Sequence, residues 1–371
     1  MSNIFIISKI IHNYLFINLS SLFLNMSFLR LFFIPLSFIY GFFMFLRNKF
    51  FDLGILKSNE YSKPIISIGN LCIGGTGKSP LIEYILSLLK NKKKVAVLSR
   101  GYGRKTSGFR WVKYNSNVFE VGDEPLQMAN KFTDVSFAVS ENRNKGIQKI
   151  FNSNYELILL DDAYQHRWVK PGLSILLTTY DNLFTKDYLV PYGKLRESKN
   201  NFNRADIIII TKTPNPLLPD DEFFLKEQVN PNLNQKLYFS YLNYLKPISL
   251  FSNISHLISG KKIILVTAIA SSSEFKNYIK TKSEIYSHFE FRDHHNFKLT
   301  EIKNIISCFN MIDSKEKLIL TTEKDATRLA IFEEYFVGIP IAYIPVEIKF
   351  HRNSNFNKSI LKYVKQNKIN S

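Results

Sequence analysis

Residues 67–85 read SIGNLCIGGTGKSPLIEYI, and no other stretch narrows the possible folds as much. The PIISIG run is short and β-branched. PLIEYILSLLK, after the glycines, sets Leu81, Ile82, Ile85, Leu86, Leu88 and Leu89 at helical spacing. Strand, glycine turn and helix in that order form the context in which a loop wraps a phosphate. Gly74, Gly75 and Gly77, with Thr76 among them, let backbone N–H groups approach an anion, and the helix N-terminus adds donors and positive dipole. Lys78 follows where an ammonium reaches β- and γ-phosphates, and Ser79 where a hydroxyl ligates Mg2+. Two departures stand out. The pattern G-x-x-x-x-G-K-[ST] puts its first glycine at position 72, which here is Cys72, and Pro80 falls in the first helical turn. Proline is tolerated there because the N–H it lacks has no intrahelical partner.

A Mg2+ site needs an acid at a neighbouring strand end, and YELILLDDAYQHR supplies Asp161 and Asp162 after the apolar run 157–160. A loop-capping acid pair is the plainer alternative. KVAVLSRGYGR (95–104), LSILLTT (173–179) and ADIIIITK (205–212) read as further strands of one parallel sheet. The expected fold class is therefore α/β, a P-loop NTPase-like, doubly wound parallel sheet.

The 371-residue chain exceeds the size at which single cores stop growing, so two domains are expected. Its two cysteines, Cys72 and Cys308, exclude a disulfide scaffold and sit in no metal-ligand spacing. The formal charge of +18 suits an anionic membrane, an anionic substrate or nucleic acid; a Lys-, Asn-, Ile- and Phe-rich codon bias accounts for it equally well. Nucleic-acid binding rests on that charge alone, so none is expected. The apolar run 31–46 is shorter than the ~20 residues a spanning helix needs, with Arg30, Arg47 and Lys49 at its ends and Pro35 and Gly41 within it. A helix inserted in one anionic leaflet fits it best, and a buried core helix remains the alternative.

The motifs GNLCIGGTGKSP, SRGYGR, VGDEP, DDAYQHR, PYGKLRES, the strand-end TK, FRDHH and TEKDA occur in this order. As a set they resemble the tetraacyldisaccharide 4'-kinase (lipid A 4'-kinase) family over about residues 26–350. Family loops also lack the first glycine, so Cys72 is no defect by that standard. The resemblance implies transfer of the γ-phosphate of ATP, with Mg2+, to the 4'-hydroxyl of an acylated glucosamine disaccharide 1-phosphate, giving lipid IVA. It also implies a second, smaller α/β/α domain joined by a two-stranded β linker, an N-terminal membrane-associated helix, a place at the cytoplasmic face of the bacterial inner membrane, and no obligate protein partner.

By the same resemblance Asp123 of VGDEP accepts the proton of the attacking hydroxyl and His294 of FRDHH pairs with it. Lys78 serves catalysis as well as phosphate binding, and Ser79, Asp161 and Asp162 hold the metal. Arg100, Arg104, Arg143 and Arg196 are candidate substrate or phosphate contacts, and an ion pair is an equal alternative for Arg196. The expected divisions are 1–58 for the N-terminal extension and aromatic helix, 59–235 for the kinase core, 236–257 for the linker strand region and 258–371 for the second domain, with a return strand at 341–350. The turn after KKIILVT departs from the family in carrying Ala268, Ala270 and Ser272 in place of a glycine and a proline, which leaves its nucleotide-base contacts open. Thr322 is expected to cap a helix, with Asp325 three residues on. The main rival is a membrane-associated ATPase or GTPase of the partitioning or targeting type; such proteins often carry a lysine where this chain has Ile73.

Overall fold

A computed structural model describes residues 31–252, 254–293, 295–351 and 354–366. His294, the candidate partner of Asp123, lies outside the described residues. Helix α1 (Phe33–Asp52) comes first. Strand β1 (Ile65–Asn70) then feeds the glycine loop and α2 (Lys78–Leu89), whose Leu81, Ile82, Ile85, Leu86 and Leu89 are fully buried against the sheet. The 3.6-residue spacing of these side chains thus selects the core face of the helix.

The chain continues through β2 (Val95–Ser99), β3 (Arg110–Trp111), α3 (Val118–Val121), α4 (Asp123–Lys131), β4 (Ser136–Val139), α5 (Arg143–Asn152), β5 (Leu157–Asp161), β6 (Leu173–Thr179), β7 (Ile207–Thr211), α6 (Pro219–Val229) and β8 (Lys236–Tyr244). A smaller unit holds β9 (Ile248–Ser249), β10 (Lys262–Thr267), α7 (Ser273–Lys280), β11 (Glu284–Glu290), α8 (Leu299–Asn310), β12 (Lys317–Thr322), α9 (Glu323–Leu329) and β13 (Ile341–Ile344). Strand β14 (Val346–Phe350) and helix α10 (Ser354–Gln366) end the described chain.

Among the described residues the large sheet runs β14-β8-β7-β6-β1-β5-β2-β4-β3, parallel except for β14 and β3 at its edges. β1 sits between β5 and β6, so the crevice at their carboxyl ends is where an open sheet of this kind binds ligands. The inner strands are buried throughout, as parallel strands covered on both faces must be. The small sheet runs β11-β10-β12-β13-β9, with only β9 antiparallel.

The return segment 341–350 is not one strand. It divides at Pro345, with β13 pairing with β12 of the small sheet and β14 running antiparallel to β8 of the large one. Proline has no N–H for a ladder, so the break falls there. α10 also departs from expectation. Phe356, Ile360 and Val364 join the large-sheet core beside Ile66 and Ile348, so the last helix packs with the first unit although it was assigned to the second. In the 268–272 turn neither alanine takes a positive φ, and Ala270 lies over the glycine loop, 3.9 Å from where a Cβ on Gly75 would be.

Candidate active site

The glycine loop is braced from both sides. Asn70, at the end of β1, donates to Thr76 Oγ1 (3.0 Å), and Thr211, at the end of β7, donates to the Thr76 carbonyl (2.8 Å). Gly77 caps α2 at φ 85°, a conformation costly for any residue with a Cβ, and Lys78 and Ser79 open the helix, with Pro80 in its first turn. Cys72 is not part of the anion turn. It forms an isolated bridge with Leu195, flanked by Ile73 N–H donating to the Lys194 carbonyl (2.7 Å) and Arg196 N–H donating to the Leu71 carbonyl (2.8 Å). Position 72 is therefore extended, and burial, with Asp187 nearby, pushes its thiol up to about 12.

This bridge brings the PYGKLRES segment to the acids. Arg196 Nη1 donates to both Asp162 oxygens (3.0 Å each) and to Gln165 Oε1 (3.3 Å), while Lys78 Nζ approaches Asp162 Oδ1 at 3.6 Å. Burial alone would raise the Asp162 carboxyl, but Lys78 and Arg196 together hold it below the usual range. Asp161 ends β5, is 1% exposed, and its Oδ1 has no hydrogen-bond partner among the described residues. Burial, then the charges of Glu124 and Asp162, pushes this carboxyl upward. A buried carboxylate oxygen left without a donor fits a hard oxygen-preferring cation such as Mg2+.

The other candidate arginines divide. Arg100 is exposed and close enough to depress His166 and Arg143. The Arg104 and Arg143 side chains are buried and bonded to their surroundings. Arg104 has a side chain only 2% exposed and donates to Glu141 and to the Gly108 carbonyl, which braces its own turn. Arg143, buried at the start of α5, donates to the carbonyls of Ser140 (2.5 Å) and Asp161 (3.2 Å), and burial lowers it to about 10. Both guanidiniums bond scaffold groups, while Arg104 Nε and Nη1 and Arg143 Nε have no hydrogen-bond partner among the described residues. Burial and then the arginines around it lower His166 to about 4, so its ring is neutral near pH 7.

Asp123 opens α4 immediately after Gly122, whose φ is 89°. The smaller unit meets it there. Arg328 of α9 donates to Asp123 Oδ2, Lys324 Nζ lies 3.2 Å from Glu124 and 3.4 Å from Asp293, and Lys131 Nζ lies 2.9 Å from Glu323 and 2.7 Å from Glu83 of α2. Sequence reasoning missed Arg328, Lys324 and Lys131. Their partners lie about 200 residues away or on another helix, and no local spacing marks such pairs. Thr322 does cap α9, accepting from the Asp325 N–H at 3.2 Å.

Helix α1 packs beside the acids with its polar side inward. Tyr40 donates to the Arg196 carbonyl (2.5 Å), Arg47 to the Gln165 carbonyl (2.8 Å) and Asn48 to Glu197 (3.0 Å). Glu197, fully buried, also accepts from Gln165 (3.1 Å), Asn201 (2.9 Å) and Arg204 (2.6 Å), so its charge is matched by four donors. The outer side of the helix exposes Phe33, Phe38, Ile39, Phe42, Phe43 and Phe45. Among the described residues no helix is long and apolar enough to cross a membrane.

The sequence and the fold both match known proteins. Residues 29–365 match the family model described as tetraacyldisaccharide-1-P 4'-kinase. The chain is 42% identical to the tetraacyldisaccharide 4'-kinase of Bacteroides thetaiotaomicron, covering 91% of this chain and 94% of that protein. It is 38% identical to the enzyme of the same name from Flavobacterium johnsoniae, covering 92% and 99% respectively. The crystal structure of LpxK from Aquifex aeolicus in complex with ATP superposes with a TM-score of 0.71 at 27% identity, over 91% of this chain and 99% of that one. With its strand–loop–helix phosphate site, paired acids and full-length match, this chain belongs to the tetraacyldisaccharide 4'-kinase family.

Proposed function

We propose that the cluster of Lys78, Arg196, Asp161 and Asp162, with Asp123 across the crevice, transfers the γ-phosphate of ATP to the 4'-hydroxyl of a tetraacyldisaccharide 1-phosphate. The observation that carries this reading is the convergence of Lys78 and Arg196 on Asp162 beside the unpartnered Oδ1 of Asp161. Two cations and two acids at the carboxyl ends of β1 and β5 suit a triphosphate and its counter-ion. The loop N–H groups of residues 74–79 cradle the phosphates. Lys78 leaves Asp162 for the β- and γ-oxygens and follows the charge that builds up in the transition state. Ser79, Asp161 and Asp162 would hold Mg2+, which neutralises phosphate charge when bound. Arg196 keeps Asp162 ionised and oriented.

In the reaction a bond forms between the sugar O4' and the γ-phosphorus, the bond from that phosphorus to the bridging oxygen breaks, and ADP departs. Asp123 takes the hydroxyl proton. An ordinary carboxylate is a weak base for an alcohol, which is acceptable when transfer is loose and the proton leaves late. His294 is the proposed partner that orients Asp123. The exposed phenylalanines of α1 rest in the cytoplasmic leaflet of the inner membrane, with the exposed Lys49 at headgroup level, and present the lipid to a site one helix away.

The test is incubation with ATP, Mg2+ and detergent-dispersed disaccharide 1-phosphate, followed by detection of a new 4'-phosphate ester. Lys78→Ala and Asp123→Ala are each expected to lower kcat by about 100-fold or more. Hydrolysis of ATP or GTP with no phosphorylated lipid would sink the reading in favour of a partitioning-type ATPase. Near-normal turnover by Asp123→Ala would remove the base assignment alone.

A further inference from the structure

Among the α9 side chains that reach the large unit, Arg328 meets Asp123. Arg328 is 3% exposed, on the last turn of a seven-residue helix. Its Nη2 donates to Asp123 Oδ2 of the large unit, and its Nη1 lies 3.3 Å from Asp325 Oδ1. Asp325 is itself fully buried and fixed by three further contacts: it accepts from the Ala268 N–H (2.8 Å) and the Thr322 hydroxyl (2.7 Å), while its own N–H donates to Thr322 Oγ1 (3.2 Å). The guanidinium is therefore held from behind by its own unit and presented to the carboxylate of the other.

A buried guanidinium between two carboxylates is costly to desolvate unless both partners stay in place. For stability alone an apolar pair at this junction would serve as well or better. The contact also falls on the one residue of α4 that the proposed chemistry uses. Around it, Lys324 with Glu124 and Lys131 with Glu323 line up the same two helices, α4 and α9, so the approach of the smaller unit and the placement of Asp123 are one event.

We propose that Arg328 is a positioning residue for the phosphoryl-transfer reaction: it holds the Asp123 carboxylate aligned, and it does so only while the smaller unit is docked. This rests on the reading of Asp123 as the proton acceptor. In this role Arg328 acts through Asp123. The charge and fork geometry of the guanidinium both matter, so lysine is expected to replace it in part.

A double-mutant cycle tests the proposal, with kcat, KM for ATP and thermal midpoint measured on full-length Arg328→Ala, Arg328→Lys, Asp123→Ala and the two double variants. Arg328→Ala is expected to lose about 100-fold in kcat, the lower end of what a positioned base contributes, with KM for ATP changed less than about threefold. Arg328→Lys is expected to lose about tenfold. In the Asp123→Ala background neither substitution lowers kcat further. Losses that multiply in that background, or an equal loss of ATP affinity, would overturn the proposal and make Arg328 a brace for the fold. If Arg328→Ala does not fold, Arg328→Lys in the two backgrounds decides by the same criterion. Near-normal turnover by Asp123→Ala itself would overturn the base assignment, and a positioning role with it, whereas full non-additivity beside an inactive Asp123→Ala supports both.

Discussion

Single residues here do what their immediate partners require, and motif position alone does not reveal it. Cys72 occupies the place of a consensus glycine, yet that position is extended and bridged to Leu195, where a side chain has a core to fill. Arg143 and Arg104, candidate anion contacts by motif, each also bond carbonyls or Glu141 of the scaffold. His166 gives a prediction at this scale. Its folded-state value of about 4 lies below the ordinary 6.5, so between those values the unfolded chain binds a proton that the native ring refuses. The stability it contributes is present above pH 6.5 and is lost as pH falls toward 4. The thermal midpoint of the wild-type protein is expected to drop more steeply over that window than that of His166→Asn; parallel curves would mean that His166 does not titrate this way.

Among the elements, α1 inverts the usual amphipathic arrangement. Its inner side uses Ser37, Tyr40, Arg47 and Asn48 to bond the loops that carry Arg196 and Gln165, and its outer side is aromatic. Gly41 faces Leu189, whose Cδ1 would have to swing aside for a Cβ at that position. An outward face of this kind burns free energy in water and recovers it in an apolar phase. Replacing Phe38, Phe42 and Phe45 with serine removes side chains that are 75%, 60% and 57% exposed. Because none of the three is buried, the fold and ATP binding are expected to be unchanged, while binding to anionic vesicles falls about tenfold or more in a co-sedimentation assay. Undiminished vesicle binding would move the membrane contact elsewhere.

At the scale of the whole molecule, two strands and four ionic contacts among the described residues set how the units meet. β8 and β14 are the covalent crossing, built into the edge of the large sheet. Arg328–Asp123, Lys324–Glu124 and Lys131–Glu323 close the gap between α9 and α4, and Lys212–Glu274 (3.5 Å) closes it on the other side of the glycine loop. Charge pairs that are only partly buried weaken with salt, whereas apolar contacts do not. Small-angle scattering is therefore expected to show a compact protein at low ionic strength and a larger radius of gyration at 1 M NaCl. A radius unchanged by salt would show that apolar packing holds the units together.

The phosphate loop, the acid pair and the parallel core strands were legible in the chain because each is local: periodicity, glycine placement and strand ends lie within a dozen residues of one another. The ordered motif set extended that reading to the family. What folding alone decided was long-range. It split 341–350 between two sheets at Pro345, returned α10 to the first core, paired Cys72 with Leu195, bonded Arg104 to Glu141 and Arg143 to the Asp161 carbonyl, and brought Arg328 to Asp123 from 205 residues away. Such contacts depend on which surfaces are left to bury after the local elements form, and no spacing along a single sequence encodes them.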